Sequence, residues 1–216
     1  EDCYFYHIDY SVTDLNSLMT TIQMGGANNI IRRNTMHKLG ASATLNPGDA
    51  SLITLNNISD TGHMQGDGAM VQVMTGQAPG TEISYNWLHS SVKYGARFDG
   101  NGTGNNGIMH HNVMWGLGNS GIMAKGFEFK IFNNTVIDGP ENKNDILVMI
   151  AQGGNDGTLT HNNVADRISG HRSGSYEDYP VPGIYTHNVN GYEIGRSVRG
   201  MLLDPDNLNF RPHPDS

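Results

Sequence analysis

Charge is scarce in this chain of 216 residues: Asp, Glu, Lys and Arg together make up 16% of it, and no cluster of Lys or Arg occurs anywhere. With 13 basic against 21 acidic residues the formal net charge is -8, so neither a nucleic acid nor an anionic membrane surface is an expected partner. A polyanionic polymer would need a local basic patch or a cation held by carboxylates. A single cysteine, Cys3, excludes an internal disulfide and leaves either a buried thiol or a pairing outside this segment. Long apolar runs are missing too. The longest, Ile146 to Ala151, is far too short to cross a bilayer, so no membrane span is expected. No initiator Met and no signal-peptide pattern opens the chain, which is therefore expected to be a processed product or a piece of something longer.

What is abundant is glycine, 28 residues, and asparagine, 24 residues. Both tolerate left-handed backbone, which suits a fold with many tight turns and does not suit a helical bundle. The asparagines recur in a fixed setting: an apolar residue, two variable positions, Asn, one variable position, and another apolar residue. Ile83-Ser-Tyr-Asn86-Trp-Leu88, Met109-His-His-Asn112-Val-Met114 and Ile131-Phe-Asn-Asn134-Thr-Val136 are the clearest copies. Asn34 and Asn56 carry earlier copies, Asn162 a sixth, and Asn188 a weaker seventh that lacks the last apolar residue. The intervals average about 26 residues, and such a period with short strands and many glycines indicates a β-solenoid. Leucine-rich repeats need leucines at fixed offsets that are absent here, and a propeller blade needs a longer repeat.

The expected fold is all-β: a right-handed parallel β-helix of about seven to eight rungs in a single domain. Residues 1–27 form an N-terminal rung or cap, 28–203 the repeats and 204–216 a C-terminal tail. Rungs about 4.8 Å apart place each side chain on its equivalent in the next. The recurring Asn is then a ladder whose amides satisfy one another and the backbone, a scaffold role and not a chemical one. Asp14 begins a possible turn of helix before the repeats, and residues 170–182, rich in Gly, Ser, Pro and Tyr, form an excursion from the coil.

The run from Ser84 to Gly139, with SYNWLHSSVKYGARFDG, IMHHNVMW, GIMAKG and IFNNTVIDG, resembles the secreted right-handed parallel β-helix proteins of the pectate-lyase-like superfamily. Asp204-Pro-Asp-Asn-Leu-Asn-Phe210 is similar to the segment where such helices finish. The resemblance covers about residues 28 to 212. It implies an extracellular or cell-surface protein that acts on or binds a polysaccharide, although the superfamily also contains adhesins and tail-spike proteins, so fold does not settle activity.

Strand alternation gives a candidate site. Tyr94, Ala96 and Phe98 are expected to face inward, leaving Lys93, Arg97 and Asp99 outward; one rung on, Lys125 faces out, and one rung back, Gln72. Arg97, Asp99 and Lys125, with Asp67 and His63 at the approach, are the candidate catalytic group. β-Elimination from a uronic acid would use Lys125 or Arg97 as base or counter-charge, with Ca²⁺ on Asp67 or Asp99 as a candidate cofactor. Hydrolysis would use Asp67 and Asp99 as the carboxylate pair, with Asp60 and Glu128 as substitutes. The same charges also suit a plain surface ion ladder.

His89, Trp87 and Trp115 are candidate substrate contacts, the indoles as sugar-stacking platforms, with packing beneath a loop as the alternative. His110 and His111 are expected on opposite faces of a strand, and no metal motif is present. Asp60, Asp138 and Asp166 each follow a repeat Asn by four residues and read as turn caps. Three sequons, at Asn57, Asn101 and Asn133, are candidate glycan acceptors; Asn57 and Asn133 flank the ladder. The second functional reading is a non-catalytic module of a glycosylated extracellular filament or surface assembly, associating end to end through open solenoid ends.

Overall fold

The computed structural model describes residues 1–10, 18–100, 104–151, 153–172 and 180–214. The helical turn expected from Asp14, the sequon at Asn101 and most of the 170–182 excursion lie outside the described residues. Three parallel sheets of eight, seven and seven strands build a β-solenoid of about six turns. This is slightly fewer than the seven to eight expected, and towards the C-terminal end the strands shrink to two residues (Val164–Ala165, Ile168–Ser169, Val189–Asn190). Sheet 1 contains Thr35–Leu39, Trp87–Ser91 and Val113–Leu117; sheet 2 contains Ala69–Met74, Tyr94–Asp99 and Ile122–Lys125; sheet 3 contains Glu82–Ser84, Ile108–His110 and Lys130–Phe132.

Register is set by apolar columns that fill the interior. On sheet 3, Ile31, Ile53, Ile83, Met109, Ile131 and Thr160 stack rung on rung. On sheet 1, Met36, Ile58, Leu88, Met114, Val136 and Ala165 do the same. Phe98 and Phe129 stack at 4.9 Å inside the coil. A one-residue slip would turn each column outward, so burial holds the register.

The asparagine ladder runs along the corner between sheets 3 and 1. Asn112, fully buried, donates from Nδ2 to Ile83 O at 2.9 Å and to Asn134 Oδ1 at 3.0 Å. Its own Oδ1 accepts from Asn86 N and Asn86 Nδ2, both at 3.0 Å. The same pattern joins Asn34, Asn56, Asn86, Asn112, Asn134, Asn163 and Asn188. The sixth member is therefore Asn163; Asn162 is exposed. The expected frame failed because Leu159 and Val164 mimic the apolar flanks, while the true flanks are a buried threonine, Thr160, and a small residue, Ala165. Cys3 occupies the place before Asn34, to whose Oδ1 its N–H donates at 3.1 Å. Its thiol is exposed and free, not buried.

Each ladder residue is preceded by a left-handed one: Arg33, Leu55, Tyr85, His111, Asn133, Asn162 and His187 have φ between 54° and 58°. Two of these, Asn133 and Asn162, are of a type that adopts this conformation readily, and the others cost roughly 1–2 kcal/mol each. The conformation persists because it hands the chain from sheet 3 to sheet 1 and aims the N–H at the next rung, as in Tyr85 N to His110 O at 3.2 Å.

After Asn190 the chain leaves the coil. A short helix, Gly191–Ile194, and a 3₁₀ turn, Val198–Met201, lead to an antiparallel hairpin of Leu202–Asp204 with Asn209–Pro212. This segment folds back over the outer face of sheet 1, burying Ile137, Val198 and Leu202 and packing Phe210 against the same patch.

Candidate functional site

The outer face of sheet 2 brings together Gln72, Arg97, Asp99, Lys125 and Asp67. Strand pairing sets Gln72 beside Arg97, and Asp99 between Met74 and Lys125. Asp99 is the hub: Lys125 Nζ lies 2.6 Å from its Oδ1, Arg97 pairs with its Oδ2, and Gln72 Nε2 donates to the same oxygen at 3.2 Å. Arg97 also reaches Asp67 Oδ1 at 2.8 Å, and that oxygen accepts the Gly68 N–H at 2.7 Å. The side chains of Arg97 and Lys125 are only 7% and 5% exposed, whereas Asp67 is 71% exposed. Buried charges of this kind persist only when paired. Asp67 is the solvent-facing end of the network.

Lys93 was expected outward without a role. It is buried, and its ammonium donates to the carbonyls of Gln65 and of Asp67, the latter at 2.9 Å. It thereby holds the segment that presents Asp67. Desolvation lowers the Lys93 pKa. For Asp67 burial would raise the carboxyl pKa, but the bonds from Arg97 and the Gly68 N–H outweigh it and hold the group below its ordinary value. Nothing in the local pattern reveals Lys93, because its partners lie 26 and 28 residues earlier.

Tyr94 does not face the interior. It packs on the outer cluster of Met123, Leu147 and Met149, with the Arg97 guanidinium 5.4 Å from its ring centre. Gly95 takes the inward position instead, where an added Cβ would fall 2.5 Å from Gly121 O and 2.8 Å from Met114 Sδ. The alternation therefore holds from Ala96 onward and breaks at the glycine.

Two polar atoms of the strip, Gln72 Oε1 and Arg97 Nε, are buried with no hydrogen-bond partner. One is an acceptor and one a donor, both shut off from solvent, with Gln72 fully buried, and an orphaned buried polar group calls for a partner. Three cations (Lys93, Arg97, Lys125) against two carboxylates (Asp67, Asp99) leave the network with an excess positive charge on a chain whose total is -8. A Ca²⁺ ion does not fit the Asp67–Asp99 pair. Both carboxylates are already bridged by Arg97.

The chain matches no family model, no curated protein and no solved structure.

The remaining candidates lie elsewhere. His89, Trp87 and Trp115 are on the outer face of sheet 1, a different sheet from the charged strip. His89 stacks on Trp115 with ring centres 4.1 Å apart and planes 3° from parallel, and Phe210 of the returning tail lies 4.8 Å from Trp115. Burial, with a smaller push from His37, lowers the His89 pKa to about 4, so the ring is neutral near pH 7. The indoles serve as packing for the tail here.

His63 does not join Asp67. It pairs with Asp60 at 2.9 Å, and both line a shallow groove of about 550 Å³ at the corner of sheets 1 and 2, with Ser90, Gly116, Asp138 and Pro140. Asp60 and Asp138 are left-handed corner residues, Asp138 paired with Arg199. Asp166 follows the true ladder residue by three, and its Oδ1 accepts the Val198 N–H at 2.7 Å, anchoring the tail. Glu128 is also a left-handed corner residue. Asn57 Oδ1 bonds His89 at 3.0 Å and Asn133 Nδ2 bonds His111 at 3.1 Å, so both sequon amides are engaged in side-chain contacts.

Proposed function

We propose that the outer face of sheet 2 is the recognition surface for an acidic polysaccharide, and that this parallel β-helix works outside the cell as a member of the pectate-lyase-like group. The observation that carries this is the strip itself: a rigid sheet face with surplus positive charge, whose orphaned donor and acceptor are shut off from solvent and come within reach when the residues over them move aside. A uronate supplies the complement, a carboxylate for the Arg97 edge and hydroxyls for Gln72 Oε1. Of the two cleavage chemistries, β-elimination suits the site better. Its cations stabilise the charge that builds on the substrate carboxylate when the neighbouring proton leaves. Hydrolysis at Asp67 and Asp99 would require one carboxyl held protonated near neutral pH, and Asp67 is pushed the other way.

The test is a panel of polyuronates and neutral polysaccharides, read both by retention of the protein on immobilised polymer and by ultraviolet absorbance of unsaturated products. Binding restricted to polyuronates, lost at least tenfold in Gln72→Ala and Arg97→Gln variants that remain folded, is the expected result. Equal binding to neutral polymers, or none at all, refutes the reading; binding without unsaturated product confines it to recognition. A second reading, a non-catalytic module that associates end to end, is favoured by the N-terminal end of the coil. There Phe5, Ile22, Met24 and Ile31 line a recess of about 190 Å³ among the described residues. Particle size that grows with protein concentration would support it.

A further inference from the structure

The expectation that His110 and His111 point to opposite faces fails, and the reason creates a site. His110 ends the sheet 3 strand Ile108–His110. His111 is the left-handed corner residue, φ 54°, so the chain turns between them and the strict alternation of a strand no longer applies. The two rings meet at right angles, 86° between planes, with Nδ1 of one 2.7 Å from Nδ1 of the other. Their outer nitrogens are held from either side. His110 Nε2 lies 3.1 Å from Glu82 Oε1, the same oxygen to which Ser84 Oγ donates at 2.8 Å. His111 Nε2 lies 3.1 Å from the Asn133 side-chain amide. The Tyr85 ring stacks on His111 at 4.8 Å and Phe132 on His110 at 4.8 Å, fixing both rings on their flanks.

We propose that this pair is a two-histidine site for a borderline divalent transition cation such as Zn²⁺ or Ni²⁺, completed by water. Two neutral imidazoles with facing Nδ1 atoms have a single N–H to share, and a cation that prefers imidazole nitrogen replaces it. Metal–nitrogen bonds of about 2.0–2.1 Å at a right angle span a nitrogen separation of roughly 3 Å, close to the spacing already present. Loading needs a rotation of each ring, and the Nδ1 proton displaced from His111 moves to its own Nε2, where the Asn133 side-chain amide turns its oxygen to accept it, so both imidazoles stay neutral. Glu82 supplies the orienting partner that metal-bound histidines normally have: its Oε1 accepts the hydrogen bond from the His110 Nε2–H and leaves Nδ1 as the ligand. The site is distinct from the sheet 2 strip and does not depend on the function proposed for it. With only two protein ligands it is open, so water or a group from a partner fills the remaining positions. Mg²⁺ and Ca²⁺, which prefer oxygen, are excluded.

Titration of the chelator-treated protein with Zn²⁺ and Ni²⁺, followed by calorimetry and by histidine ¹⁵N chemical shifts, tests this. One equivalent is expected, with the largest shifts at the Nδ1 atoms of His110 and His111 and no response to Mg²⁺. His111→Asn retains a residue that tolerates the left-handed corner, so the fold survives and binding is lost. Glu82→Gln weakens binding about 10- to 100-fold. Binding that persists unchanged in His111→Asn, shifts centred on other histidines, or no uptake at all overturns the proposal.

Discussion

Replacing Asn163 by Ala should cost far more than replacing Asn162, although the two are adjacent and identical in type. The Asn163 side chain makes five bonds. Its Nδ2 donates to Ile131 O at 2.9 Å, His161 O at 3.1 Å and Asn188 Oδ1 at 3.0 Å. Its Oδ1 accepts from Asn134 N at 3.1 Å and Asn134 Nδ2 at 3.0 Å. Three of these partners keep another bond: His161 O accepts Asn133 N, Asn188 Oδ1 accepts Asn163 N, and Asn134 Nδ2 still donates to Met109 O and Phe132 O. The Asn134 N–H loses its side-chain acceptor in a fully buried corner. An orphaned buried group costs about 1–3 kcal/mol and each weakened bond about 0.5–1.5 kcal/mol, so Asn163→Ala is expected to lose about 3–5 kcal/mol. That is a large part of the stability of a typical domain. Asn162 is exposed and left-handed at φ 54°, so Asn162→Gly should stay within about 0.5 kcal/mol of the parent. Urea unfolding with a common m-value reads both variants. Equal losses, or a larger loss at Asn162, would refute the ladder register.

The inner column offers a gain. Thr160 sits fully buried beneath Ile131 with its hydroxyl unpartnered, so Thr160→Val, nearly the same shape, should raise stability by about 1 kcal/mol in the same urea assay. Two groups should give opposite pH slopes between about pH 4.5 and 6.5. His89, lowered to about 4 by burial and by His37, binds its proton more weakly folded than unfolded. Its contribution is present above the unfolded pKa and is lost as pH falls towards 4. Asp145, raised to about 7 by burial and by Asp166, contributes in full below the unfolded carboxylate pKa and loses that contribution as pH rises to 7. Removing Asp145 as Asn should therefore leave a stability that climbs with pH across the window, with a gain on the order of 3 kcal/mol at its top. His89→Gln should leave one that declines. Unfolding midpoints at three pH values check the signs, and parallel curves for both variants would rule the assignment out.

How much of this was legible depends on whether the physics is local. A parallel solenoid announces itself because each rung repeats one short pattern, and apolar flanks such as Ile83 and Leu88 around Asn86 fix both phase and burial. The expected phase held wherever both flanks were large and apolar, and slipped at Asn163, where one flank is Thr160. The strip of Gln72, Arg97, Asp99 and Lys125 followed from alternation alone, because sheet 2 is regular from Ala96 onward. Lys93, whose partners come from an earlier loop, and Trp115, whose cover comes from Phe210 of the tail, depend on segments that no spacing connects. The left-handed corners were hidden for a different reason. Leu55 and Tyr85 are residues that a turn rule would never select, and their conformation follows from the stacked rungs and not from their own preference. At His111 the same left-handed turn rotates a histidine out of strand alternation and against its neighbour. The same stacking that makes the fold readable thus produces the one pairing, His110 with His111, that reading the strand alone would have denied.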